Sequence, residues 1–186
     1  MKTTTPVTTP HGHHEAASPI AMLVLEHEVI LRALALLEQL GQRLESRVTV
    51  DRSSLSWLID FFRTFADRCH HVKEEAQLFP ALERCGLPKE SGPLSVMLEE
   101  HEAGRVLVRG MTEGDDQEIA RAIRGYVALL RAHIDKENSV LFPLAEQLLS
   151  DEEQQALARA FDEVEEAQGP DLHERLLAGL ARLERS

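Results

Sequence analysis

The stretches HHVKEEAQLFP, residues 70–80, and HIDKENSVLFP, residues 133–143, align without a gap at an offset of 63 positions, with His, Lys, Glu, Leu, Phe and Pro recurring in step. Each holds a His and a Glu four residues apart, His70 with Glu74 and His133 with Glu137. On a helix that spacing puts both side chains on one face, roughly 5–6 Å apart at Cβ. A weaker match pairs LEHEVILR around His27 with EEHEAGRV around His101. The chain thus reads short motif, long motif, short motif, long motif. His27 and His70 are 43 positions apart and His101 and His133 are 32 apart; spread over two helices and a turn, the difference still lets all four histidines share one depth.

Outward from these motifs the apolar residues keep helical spacing. Ser18 and Pro19 make an N-cap and a first helical residue, and Ile20, Leu23, Val24, His27, Leu31 and Leu34 follow, predicting a helix to about Ser46. Asp51 or Ser53 caps a second, with Leu55, Ile59, Phe62, Ala66, His70, Glu74, Leu78 and Ala81 on its inner face, ending near Gly86. A loop leads to a third from Pro93 to about Met111, with Leu94, Met97, Leu98, His101, Arg105 and Val108 inside. The fourth carries Ile119, Ile123, Tyr126, Leu130, His133, Glu137, Leu141, Leu144 and Leu148. Ser150 and Glu153 form a capping box for a fifth, acidic helix docked by Leu157 and Phe161, and Gly169 and Pro170 break it before a short sixth. No strand pattern competes. The expected fold is all-α: an up-down-up-down four-helix bundle over residues 18–149, preceded by a disordered arm, 1–17, and followed by a C-terminal acidic helical extension, 150–186.

Composition sets the outer limits. The 186 residues, 43% apolar and 28% charged, are enough for one compact domain with a real core. A formal charge of -12 argues against nucleic acid and anionic membrane surfaces as partners. The apolar run Ile20 to Leu25 is too short to span a bilayer. Cys69 and Cys85, sixteen residues apart in one helix, cannot bridge, and two free thiols without a secretion signal predict a cytoplasmic protein.

The motif residues interrupt apolar stripes, so they point into the core, where a carboxylate without a partner costs several kcal/mol. Two answers neutralise Glu74 and Glu137 among four imidazoles: a hydrogen-bonded His and Glu network with protonated histidines, or metal. Four inward histidines at one depth favour metal. Nitrogen and oxygen donors without thiolate suit iron, manganese or zinc, and six ligands exceed one tetrahedral zinc. Two ions bridged by Glu74 and Glu137 use the set evenly, one held by His27 and His70 and the other by His101 and His133.

These motifs resemble those of the hemerythrin-like proteins of the bacterial HHE cation-binding group, over about residues 18–148. The resemblance implies a non-haem diiron centre, two Fe ions with two bridging carboxylates and an oxygen bridge, built from His27, His70, Glu74, His101, His133 and Glu137. The chain departs from the oxygen-carrying members at one position. Where they have a second His four residues after the third helix's ligand, this chain has Arg105. The vacancy is open to water, to another side chain or to a small molecule.

Further residues carry weaker expectations. His71 is turned about 100° from His70, towards a neighbouring helix or solvent, with a supplementary ligand role as the alternative. Tyr126 reads as a core residue bonding a backbone carbonyl, Arg105 as the partner of Glu102, and Glu28 and Glu102 as acceptors from ligand histidines or as ion-pair partners on their own helices. His11, His13 and His14 read as a solvated tail. The functional expectation is a small-molecule ligand, dioxygen, peroxide or nitric oxide, or the sensing of iron. The alternative is a diiron oxidoreductase with peroxidase- or catalase-like activity. Peroxide turnover discriminates between them.

Overall fold

A computed structural model of the chain describes residues 18–169 and 171–185. The expected disordered arm, with His11, His13 and His14, lies outside the described residues. Among the described residues there are helices and no strands, and the helices fall into six rods: α1, Pro19–Glu45; α2, residues 52–84; α3, Pro93–Gly110; α4, residues 116–148; α5, Asp151–Gln168; and α6, Leu172–Leu183.

Local chemistry sets their ends. The Ser18 hydroxyl accepts the Ala21 N–H at 3.1 Å before Pro19, and the Asp51 carboxylate accepts the N–H groups of Ser53 and Ser54, each at 3.1 Å. Asp115 with Glu118, and Ser150 with Glu153, close reciprocal capping boxes ahead of α4 and α5. Gly86 stops α2 by taking φ +95°, a conformation that costs a residue with a Cβ. At Gly41, α1 and α4 approach so closely that a Cβ would stand 2.7 Å from Ile123 Cγ2.

Two of the rods are not purely α-helical. α2 winds as a π-helix over Phe62–His71 and Glu74–Leu78 before returning to α at Phe79–Arg84; α4 does so over Glu137–Leu141 before Phe142–Leu148. The recurring Phe-Pro explains the second and third of these segments. Pro80 and Pro143 have no N–H to donate, and their rings press on the carbonyl four residues back. The winding loosens just ahead of them, so that the Phe79 N–H reaches the Glu74 carbonyl and the Phe142 N–H reaches that of Glu137.

The core is two apolar clusters with a polar layer between them. One gathers Ile30, Leu34, Phe62, Ala66, Val108, Ile123, Tyr126 and Leu130; the other gathers Leu23, Leu78, Phe79, Met97, Leu141 and Phe142. Along α1 and α3 the chain runs from the second cluster to the first, and along α2 and α4 it runs back. The last two helices close both: Leu157 and Phe161 of α5 enter the second cluster and Leu180 of α6 the first. At roughly 1.5–3 kcal/mol for each fully buried large apolar side chain, this docking is a substantial part of the fold. Leu31 and Leu148, expected in the inner stripes, sit at their margins, about one third exposed.

Candidate metal centre

His27, His70, Glu74, His101, His133 and Glu137 meet in the polar layer, each almost inaccessible to solvent. The histidines pair across helices: His27 Nε2 lies 2.9 Å from His70 Nε2, and His101 Nε2 lies 3.0 Å from His133 Nε2. The carboxylates lie between the pairs. Glu137 Oε2 is 3.2 Å from His27 Nε2 and 3.3 Å from His133 Nε2. Glu74 points Oε1 at His70 Nε2, 3.6 Å away, and Oε2 at His101 Nε2, 3.5 Å away.

The outer nitrogens decide what the inner ones can do. His27 Nδ1–H donates to Asn138 Oδ1 at 2.8 Å, His70 Nδ1–H to Glu26 at 2.8 Å, His101 Nδ1–H to Glu75 at 2.7 Å and His133 Nδ1–H to Glu100 at 3.0 Å. With the proton of each neutral ring held at Nδ1, every Nε2 turns a bare lone pair inwards. Two bare lone pairs facing each other at about 3 Å repel, unless one ring takes a second proton or a cation stands near them. Burial opposes the proton at His70, pushing it down to about 4, and lowers His101 as well. Burial is the largest single influence on His133 and acts against its charge, but the charges and hydrogen bonds of Glu137 and Glu100 together outweigh it and hold this ring above its ordinary value. Glu74 is held well above the usual carboxylate range by burial and then by the charge of Glu137. Burial would raise Glu137 too, yet His133 and His27 keep it well below that range. A metal-free centre thus compromises, with a neutral Glu74 beside an ionised Glu137.

That compromise leaves donors unused. None of the carboxylate oxygens of Glu74 and Glu137 makes a hydrogen bond of proper geometry, close as the nitrogens are. His71 lies against the neighbouring helix α3, one of its two expected placements, and not in solvent: it is buried in the same layer, and neither of its ring nitrogens has a hydrogen-bond partner. Its ring stacks on His101 at 3.9 Å between centroids. The donor atoms form two groups that share Glu74: His27, His70, Glu74 and Glu137 in one, His71, Glu74, His101 and His133 in the other, with every donor within 4.8 Å of the rest of its group. Nitrogen and carboxylate oxygen, orphaned and convergent, are what a transition metal takes.

The outer contacts correct several expectations. Glu28 and Glu102 are exposed, Glu102 pairing with Arg105 and Arg109 on its own helix, and His70 and His133 donate instead to Glu26 and Glu100, the residues before His27 and His101. Lys73 and Lys136, the lysines of the repeat, each donate to one of them. Arg105 lies 3.8 Å from Glu102, but its principal partners are on α2, Asp67 at 2.8 Å and Glu75 at 2.6 Å. Tyr126 stands edge-on to Phe62 and makes no hydrogen bond to a backbone carbonyl among the described residues. Glu26, Cys69 and His173 also bring donor atoms together. There the chain supplies its own cation, the Lys73 ammonium, 2.5 Å from both Glu26 and Glu165, and burial pushes the Cys69 thiol up to about 12.

Comparison with known proteins agrees with this geometry. The Hemerythrin HHE cation binding domain matches residues 18–145, and the chain belongs to that family. It is also similar to the uncharacterized protein Mb2018 of Mycobacterium bovis and the uncharacterized protein Rv1995 of Mycobacterium tuberculosis strain H37Rv, each 27% identical over 170 residues. Those matches cover 86% of this chain and 66% of each relative, so the chain spans less than two thirds of their length.

Proposed function

We propose that the chain is a non-haem diiron protein in which two ions lie between the paired histidines, one taking His27 and His70, the other His101 and His133, with Glu74 and Glu137 as bridges. The observation that carries this reading is the set of four inward Nε2 lone pairs, each fixed by an outward Nδ1–H bond, around carboxylates that no protein donor satisfies. Bound iron supplies reversible redox change and open coordination for a small oxidant or a diatomic ligand such as dioxygen or nitric oxide. The residues supply the rest: Glu26, Glu75, Glu100 and Asn138 fix the rings, and the apolar clusters on either side keep bulk water away. Alternation of chain direction between the clusters supports an up-down-up-down bundle over 18–149, with 150–186 as an extension docked on it. Free Cys69 and Cys85, and the absence among the described residues of any helix long and apolar enough to cross a membrane, are compatible with a cytoplasmic setting.

Metal analysis with a visible spectrum tests the reading: protein from iron-replete cells should carry about two irons per chain, the number the bridged donor set can share. A reproducible value of one, or a full complement of zinc, overturns it. A second reading, peroxide consumption, is favoured by a cavity of about 200 Å³ that opens between α2, α3 and α4 onto His71, His101 and His133. Peroxide added to the iron-loaded protein should then disappear over many turnovers; a single stoichiometric reaction supports binding or sensing instead.

A further inference from the structure

The same cavity assigns a role to His71 that rests on the two-ion reading and goes beyond it. Its floor is formed by His71, His101 and His133, and its walls by Tyr126, Val108 and Arg105. On the His27 and His70 side, Phe142 covers the ring of His27, stacked on it at 5.3 Å. A small molecule arriving from solvent therefore meets the His101 and His133 side first, and His71 stands in its path.

Three features of His71 are unusual together. It is 4% exposed and neither ring nitrogen makes a hydrogen bond, Asp67 being within ion-pair distance of Nδ1 only, so Nε2 is left with no partner in the protein. It sits where the repeat has Ile134, and it gives this side of the centre a third imidazole where the His27 and His70 side has two. Its ring also lies nearly parallel to His101, 17° between planes. Lone pairs lie in the ring plane, so two stacked imidazoles cannot aim at one point unless one of them tilts. His101 is fixed by Glu75, and His71 is the ring free to tilt. When it leaves, it has a partner waiting: Asp67 Oδ1, one turn back and also lining the cavity, is 3.6 Å from His71 Nδ1.

We propose that His71 is a displaceable ligand of the ion on the His101 and His133 side, occupying the coordination position that faces the cavity, so that a small anion or diatomic must displace it to bind. The position left without imidazole by Arg105 is thus served from α2.

Azide added to the iron-loaded protein is the probe, with iron content and the azide-dependent absorption band as readouts. The wild type should bind azide weakly but to saturation. His71→Ala should retain both irons and bind azide at least about tenfold tighter, since the competing donor is gone. His71→Asn, which keeps a polar group of smaller reach, should do the same and covers a failure of the alanine variant to fold. Two irons with unchanged azide affinity in the variants overturn the proposal, and so does the loss of one iron, which makes His71 a fixed ligand. A wild type that takes up no second ion overturns the two-ion reading and this proposal with it.

Discussion

The two halves of the repeat share a framework and differ in what surrounds it. In both, the residue before the short-motif histidine, Glu26 or Glu100, accepts from the long-motif histidine and pairs with that motif's lysine, Lys73 or Lys136. Yet Lys73 is completely buried and held a second time by Glu165 of α5, whereas the Lys136 side chain is 40% exposed and has Glu100 as its partner. His71 faces the layer where Ile134 stands in the other half, and Glu75, tied to Arg105, stands where the other half has Asn138. A duplicated set of donors can thus be tuned unevenly by the shell around it. One half is locked by α5, and the other opens towards solvent.

The largest effect that separates the halves should come from removing one charge in each. Glu26→Gln keeps an oxygen for His70 Nδ1–H but takes from the buried Lys73 its inner carboxylate, and breaking a buried pair costs about 3–5 kcal/mol. Glu100→Gln does the same beside the half-exposed Lys136, where solvent replaces the lost partner and the cost is below about 1 kcal/mol. Urea denaturation of the metal-free proteins measures both. Equal losses would mean that the burial of Lys73 does not distinguish the halves.

Much of this was readable in the sequence. Ser18 with Pro19, Ser150 with Glu153 and the stripes through His27, His70, His101 and His133 are local signals, and local signals set helix ends and inner faces. The turn of His71 away from His70 towards a neighbouring helix is legible, but that it meets His101 of α3 within the same layer is not, because residues 62–71 wind as a π-helix with less turn per residue and the register of α3 is settled by packing. Phe-Pro accounts for the loosened winding just ahead of it in each repeat, but nothing local marks the longer segment Phe62–His71. Glu26 and Glu100 were missed because their partners lie on other helices. A contact such as Lys73 with Glu26 and Glu165 is settled by packing, which no spacing within one helix encodes.

Acid should act on the halves with opposite sign in the metal-free chain. Burial lowers His70 to about 4, so between that value and the ordinary 6.5 the unfolded chain binds the proton and the folded chain does not. Its contribution is complete above 6.5 and is lost as pH falls to about 4, a loss of about 3 kcal/mol. His133 is raised, so its contribution is complete below 6.5 and is lost as pH climbs through its folded value. Titration of the ring protons by NMR resolves the two, with His133 charging before His70 on acidification. The opposite order would overturn the division of charge between Glu74 and Glu137.

The smallest effect concerns the bridging carboxylates themselves. Near neutral pH a metal-free chain must either keep Glu74 protonated or bury its charge beside Glu137, and the cost grows as pH rises above the ordinary carboxylate range. Glu74→Gln fixes the neutral form and should stabilise the metal-free protein at pH 7 by about 1–2 kcal/mol. Glu137→Gln removes an anion that His27 and His133 already hold, and should destabilise it by a similar amount. Thermal melts of the two variants and the wild type, metal-free and iron-loaded, check the pair. Iron should reverse the first result, because a carboxylate that is a liability in the empty centre becomes a bridge in the filled one, and Glu74→Gln should then melt below the iron-loaded wild type. If Glu74→Gln stays the more stable protein in the presence of iron, Glu74 holds no metal, and the donors that converge on it serve the hydrogen-bonded network alone.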